Sequence, residues 1–154
     1  MGKRWHLNHP LKSSLALLIG VATCLFQPAF RLNLSNSLPQ TLFWASLQKQ
    51  PFEKGQIVHI DHPKLNVSVG KIIAGKPGDH ISIRNQRIFL NDVEIGEVQI
   101  ESQSGKTYHP IQEGPIPAEH YFVYTSHPQS FDSRYAEFGL VQEEWIKEVL
   151  WPLF

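Results

Sequence analysis

With 154 residues the chain has room for one domain with a sizeable core. Its 14 Lys and Arg balance its 14 Asp and Glu, with no basic block and no interleaving of aromatic and basic residues. That excludes nucleic acid or a polybasic membrane patch as the main partner. The one cysteine excludes an intramolecular disulfide, so function has to come from a site.

Lys3, Arg4 and Lys12 precede Ser13 to Phe30, a run without charged side chains whose apolar heart extends from Leu15 to Phe26. A bilayer span takes about 20 residues, so this run is near the lower limit for one crossing. The expectation is an uncleaved membrane anchor in residues 1–30 that crosses once as a transmembrane helix, with its basic flank in the cytoplasm and the body, residues 31–154, on the outer side of the cytoplasmic membrane. A cleaved signal peptide is the alternative, but Cys24-Leu-Phe-Gln-Pro-Ala-Phe30 is too bulky to offer a good cleavage site. Cys24 fits packing better than lipid attachment, because Thr23 directly before it suits a lipoprotein site poorly.

Past this segment the chain reads as β structure. Thr41 to Gln48 suggests a short helix or turn. Gln56 to Ile60 is rich in β-branched residues after Gly55, and Asn66 to Ala74 alternates enough for a second strand. Ile81-Ser-Ile-Arg84 and Arg87-Ile-Phe-Leu90 flank Asn85-Gln86 and predict a hairpin; Asn91-Asp92 opens another turn before Val93 to Ile95. Glu101 to Pro117, with Ser, Gly and three Pro, reads as a long surface loop. His120 to Tyr124 and Ile146 to Leu150 supply later strands. The fold class is mainly β.

Two short segments carry the chemistry. Ser37-Leu38-Pro39 offers a hydroxyl on a proline-stiffened loop, and Lys71-Ile-Ile-Ala-Gly-Lys-Pro-Gly-Asp79 offers a lysine among Val67, Val69, Ile72, Ile73 and Ala74. A serine hydroxyl needs a base to become nucleophilic, and a lysine serves as one only if burial keeps its amine neutral. Lys71 would have to fall about three units from a reference near 10.4. Lys76, the rival base, sits beside Pro77-Gly78 in a turn open to solvent. The ordinary readings are a serine in a turn and a lysine guarding a strand edge.

Asn33-Leu-Ser-Asn-Ser-Leu-Pro-Gln-Thr-Leu-Phe43 resembles the nucleophile segment of the type I signal peptidase family of serine-lysine proteases. Proline two residues after the serine is closest to the branch that processes pilin precursors in conjugative transfer. Lys71 to Asp79 is similar to the family's lysine segment, and Ser130-Phe-Asp-Ser-Arg-Tyr135 resembles its carboxy-terminal signature. Phe52 to Val58 and Pro117 to Val123 also match, and the order is kept. Where general signal peptidases carry Gly-Asp-Asn-Arg, this chain has Thr125-Ser-His-Pro128, which again favours the conjugative branch. The chain also lacks room for the inserted second domain of some housekeeping members.

The resemblance implies a coiled, mostly antiparallel β-sheet catalytic domain, with Ser37 as nucleophile and Lys71 as general base. Ser35 would help form the oxyanion hole with the backbone N–H of Ser37, its ordinary reading being a serine that caps a turn. Ser130 would orient the lysine, and Asp132 and Arg134 would form a structural ion pair beside it. The implied substrate is an exported precursor, most simply a conjugative pilin, which is either hydrolysed or joined to its own amino terminus. A housekeeping leader peptidase and an inactive β scaffold of a secretion assembly are the alternatives.

The eight histidines raise a metal reading, with His59 and Asp61 on one strand face, but no cysteine partners or His-Glu-x-x-His pattern accompany them. His127, Asp132 and Ser37 could also be read as a Ser-His-Asp triad, although the lysine motif explains more residues. The expectation is chemistry by side chains alone, with no cofactor, metal or nucleic acid.

Overall fold

The computed structural model describes residues 30–33, 38–47, 51–101 and 105–153. They form eleven strands: β1 (Phe30–Leu32), β2 (Leu42–Ser46), β3 (Ile57–Ile60), β4 (Val69–Gly75), β5 (His80–Arg84), β6 (Arg87–Leu90), β7 (Val93–Glu97), β8 (Gly114–Pro115), β9 (His120–Tyr124), β10 (Val141–Gln142) and β11 (Ile146–Pro152). A 3-10 turn at Glu143–Trp145 is the one helical element among them. No helix of the described residues is long and apolar enough to cross a membrane. The expected anchor lies outside them except for Phe30, which begins β1.

Every strand pairing is antiparallel. A seven-stranded sheet runs β1-β2-β11-β3-β4-β9-β10, and a four-stranded sheet runs β7-β6-β5-β8. The mainly β, antiparallel class is therefore as the sequence predicts.

Alternation explains how the sheets share cores. On β9, Tyr121 and Val123 enter the core of the larger sheet beside Val58, Ile60, Ile73 and Val149. Phe122, between them, points into a second core with Ile81, Ile88, Leu90 and Ile116. Period-two geometry thus makes one strand the wall between two hydrophobic clusters. β4 reaches the same boundary at Gly75, where the pairing with β9 shifts register. A Cβ on Gly75 would sit 2.6 Å from Ile116 Cδ1 and 3.0 Å from both Leu90 Cδ1 and Phe122 Cβ, so a side chain there would have to displace the packing between the sheets.

The two predicted tight turns are present. Asn85 and Gln86 have φ of 50° and 63°, and Asn91 and Asp92 have 47° and 67°, the left-handed pairs that match the twist of a two-residue hairpin. The predicted helix or turn at Thr41–Gln48 is instead β2. Phe43 and Ala45 alternate inward while Trp44 faces out, and β1 and β11 hydrogen-bond to both edges, so tertiary pairing decides the state. The segment Glu101–Pro117 is also more than a surface loop: Ile111 and Ile116 are buried in the second core, and β8 pairs with β5. The predicted strand at Asn66–Ala74 begins later, at Val69.

Candidate active site

Lys71 lies mid-way along β4, paired with Val58 of β3, and shares the inward face of Ile73 and Gly75. That alternation drives a lysine into the core, where only 4% of it remains exposed. Its Nζ donates to Ser130 Oγ at 2.7 Å and lies 5.9 Å from the centre of the Phe138 ring. Burial lowers its pKa to about 8, a fall that Asp132 partly opposes and Arg134 reinforces. The amine therefore gives up its proton far more readily than an exposed lysine.

Ser130 reaches Lys71 because its segment is laced to the end of β9. Ser133 Oγ accepts from Val123 N–H at 3.1 Å, and Ser133 N–H donates to the Val123 carbonyl at 3.0 Å. Asp132 Oδ2 accepts from Thr125 N–H at 3.3 Å. β9 in turn pairs with β4 through Ile72–Tyr124 and Ile73–Val123, which fixes the span between serine and lysine.

The predicted Asp132–Arg134 ion pair is fully formed and buried, with side chains 0% and 4% exposed. Arg134 Nε and Nη2 grip the carboxylate side-on at 2.8 and 2.9 Å, and Nη2 also donates to the carbonyls of His127 and Ser130. Burial alone would make Arg134 easier to deprotonate, but the hydrogen bonds and charge of Asp132 outweigh it and raise its pKa. Each carboxylate oxygen already accepts two hydrogen bonds, Oδ1 from the Arg134 backbone N–H and Nε and Oδ2 from Thr125 N–H and Arg134 Nη2, so Asp132 is not available as the third member of a histidine triad. The His127 ring instead accepts from Gln129 N–H at 3.2 Å.

Ser35 and Ser37 lie outside the described residues, but their flanks are anchored. Asn33 Nδ2 donates to the carbonyls of Leu38 and Gln40, both at 3.0 Å, and Asn33 N–H donates to the Thr41 carbonyl at 2.9 Å. Leu38 is buried with Phe43, Ala45 and Leu150. Its Cδ1 stands 3.0 Å from where a Cβ on Gly70 would lie. The residue after Ser37 therefore abuts the residue before Lys71.

A cleft of about 610 Å³ opens here, lined by Leu38, Phe43, Val69, Gly70, Lys71 and Leu150 among others. Described β9 pairs with β4 only from Ile72 onward, so the Val69–Lys71 edge faces no described strand on that side. An extended peptide could add there as a strand. One cleft wall is polar: Glu148 accepts from Arg31 Nε and Nη2 at 2.9 and 2.6 Å, and His59 Nδ1 lies 3.3 Å from the same carboxylate. His59 is thus engaged with Glu148, and Asp61 accepts from Ser68 Oγ. Lys76, the rival base, is an exposed partner of Glu53 at 2.5 Å.

Two contributors escape sequence reasoning. Phe138 is one aromatic among many with no motif around it. Asn33, whose amide bridges the carbonyls of Leu38 and Gln40, carries a usable signal, since asparagine before a turn commonly bonds nearby backbone groups.

The model of the family described as signal peptidase, peptidase S26, matches residues 7–149. The chain belongs to this family. The S26 chain is 31% identical over 90 residues to signal peptidase I U of Bacillus subtilis, covering 54% of the chain and 48% of that relative, so it spans about half the relative's length. It is 26% identical over 146 residues to the conjugal transfer protein TraF of Agrobacterium tumefaciens, covering 81% and 82% of the two chains. A signal peptidase I structure from Enterococcus faecalis overlaps 68% of this chain and 98% of its own at 24% identity, with a TM-score of 0.45.

Proposed function

We propose that the S26 chain is a membrane-anchored serine endopeptidase in which Ser37 is the nucleophile and Lys71 the general base. The observation that carries this reading is a buried lysine with its pKa lowered to about 8, held on Ser130 and lying on a strand that lines a cleft. A neutral Nζ that donates one hydrogen to Ser130 Oγ has its lone pair turned elsewhere, toward the Ser37 hydroxyl in this reading. Lys71 takes the Ser37 proton as Oγ attacks the scissile carbonyl, and returns it to the leaving amine as the acyl-serine forms. The Ser37 N–H and Ser35 hydroxyl stabilise the oxyanion. Lys71 then deprotonates the second nucleophile, and attack on the acyl carbon frees Ser37.

The substrate class is an exported precursor, most specifically a conjugative pilin. The similarity to TraF across about four-fifths of both chains supports the conjugative assignment, and the shorter match to the Bacillus peptidase is what favours the housekeeping alternative. The test is to mix the purified full chain with a pilin-like precursor encoded beside its gene. Processing of that precursor but not of unrelated presecretory proteins is expected, and the reverse pattern would establish the housekeeping reading. Mass spectrometry then separates the fates, because a cyclic product is one water lighter than the linear one.

A further inference from the structure

His62 is 2% exposed, just beyond β3, and has no part in the proposed chemistry. Both ring nitrogens are engaged. Lys64 N–H donates to Nδ1 at 3.2 Å, so Nδ1 carries the lone pair, and Nε2–H therefore donates to the Phe138 carbonyl at 3.0 Å. The same imidazole stacks on the Phe138 ring with centroids 4.4 Å apart and planes at 29°, while Trp145 meets it edge-on at 5.1 Å. Phe138 is the ring that lies against Lys71 Nζ.

We infer that neutral His62 is a positioning residue for Lys71, locking the ring and carbonyl of Phe138 so that the ring stays in place as a water-excluding wall beside the amine. This deepens the reading of Lys71 as the base. A phenyl ring alone can tilt or slide, but a ring stacked on one face and tied through its own backbone carbonyl cannot do so freely. Protonating His62 would turn an N–H toward the Lys64 N–H and break one tie. Burial, outweighing the Phe138 bond and assisted by the Lys64 charge, holds the His62 pKa below the ordinary histidine value, so the neutral form persists near pH 7. The charged side chains around it are already engaged: Lys64 Nζ with the Glu137 carbonyl at 2.9 Å, and the Glu137 carboxylate with His109. On the Lys71 side the groups are Ser130, Asp132 and Arg134.

The experiment follows the Lys71 Cε signal by NMR in the ¹³C-lysine-labelled full chain, assigned by its loss in Lys71→Met. In His62→Ala, water admitted beside the amine should raise the Lys71 midpoint by about one pH unit. His62→Gln, which keeps a donor for Phe138 and an acceptor for Lys64, should raise it less. An unmoved midpoint in folded His62→Ala would overturn the inference, because a core-filling histidine lowers Tm without moving a lysine titration. A moved midpoint with an unmoved pH–rate profile would support the inference and overturn Lys71 as the base. Should His62→Ala not fold, the unmodified chain gives the answer: the Phe138 ring signals should shift along with His62 Cε1–H as acid protonates it, and fixed Phe138 signals would refute the link.

Discussion

At neutral pH the buried Lys71 ammonium destabilises the fold that holds it. Its pKa is about 8 folded against about 10.5 for an exposed lysine, so between these pH values the unfolded chain binds more protons and stability rises with pH. Below about pH 8 the full penalty is present; above about 10.5 it is gone. Lys71→Met should therefore abolish processing yet stabilise the domain by on the order of 3 kcal/mol near pH 7, the gain fading toward pH 10.5. Urea unfolding at both pH values checks this, and equal stabilities near neutrality would mean that Lys71 is not strained. The same shift sets the rate profile: with about one lysine in ten neutral at pH 7, activity should climb through about pH 8. A flat rate from about pH 5 to 9 with chemistry limiting would count against a lysine base. Ser37→Ala should be as inactive as Lys71→Ala, and Lys76→Ala should stay active. Asp132→Asn, which leaves Arg134 buried without its counter-charge, should lose about 3–5 kcal/mol of stability. Replacing both partners by apolar residues should lose much less.

Hairpins are legible at the scale of elements because their determinants are local. Asn85-Gln86 has to adopt two left-handed residues, and only the first is well suited to it. Gln86→Gly should therefore stabilise the second sheet by about 0.5–1 kcal/mol without changing activity, as a thermal melt and a cleavage assay would read. β2 was not legible for the opposite reason: Leu42–Ser46 becomes a strand through β1 and β11, partners that lie before it and over a hundred residues after it. The site divides the same way. Lys71 among apolar neighbours and the alternating Asp132, Ser133 and Arg134 announce themselves in sequence. The contact of Phe138 with Lys71 exists only once the chain after β9 folds back over β4, and the Arg31–Glu148–His59 wall only once β1, β3 and β11 are assembled.

For the whole molecule, the proposed arrangement is one crossing, amino terminus inside, with the β body outside and near the bilayer. Phe30, Trp44 and Trp151 fall in register across β1, β2 and β11 and are about half exposed, an aromatic row at the end of the sheet where the proposed anchor joins it. Tryptophan, apolar with one polar N–H edge, is favoured at the level of lipid headgroups, so exposed Trp44 and Trp151 suit a body resting against the membrane, with Phe30 adding apolar surface beside them. Protease added to spheroplasts should digest the body and spare a tag at residue 1; a protected body would reverse the orientation and remove exported pilin as the substrate. If nearness to the bilayer matters for meeting a precursor whose own leader is still embedded, the two substrates of the enzyme should respond differently to removal of residues 1–30. Cleavage of membrane-bound precursor should fall much further than cleavage of a soluble peptide carrying the same cut site. Equal losses would show that the segment supports the fold or the chemistry instead of bringing enzyme and substrate together.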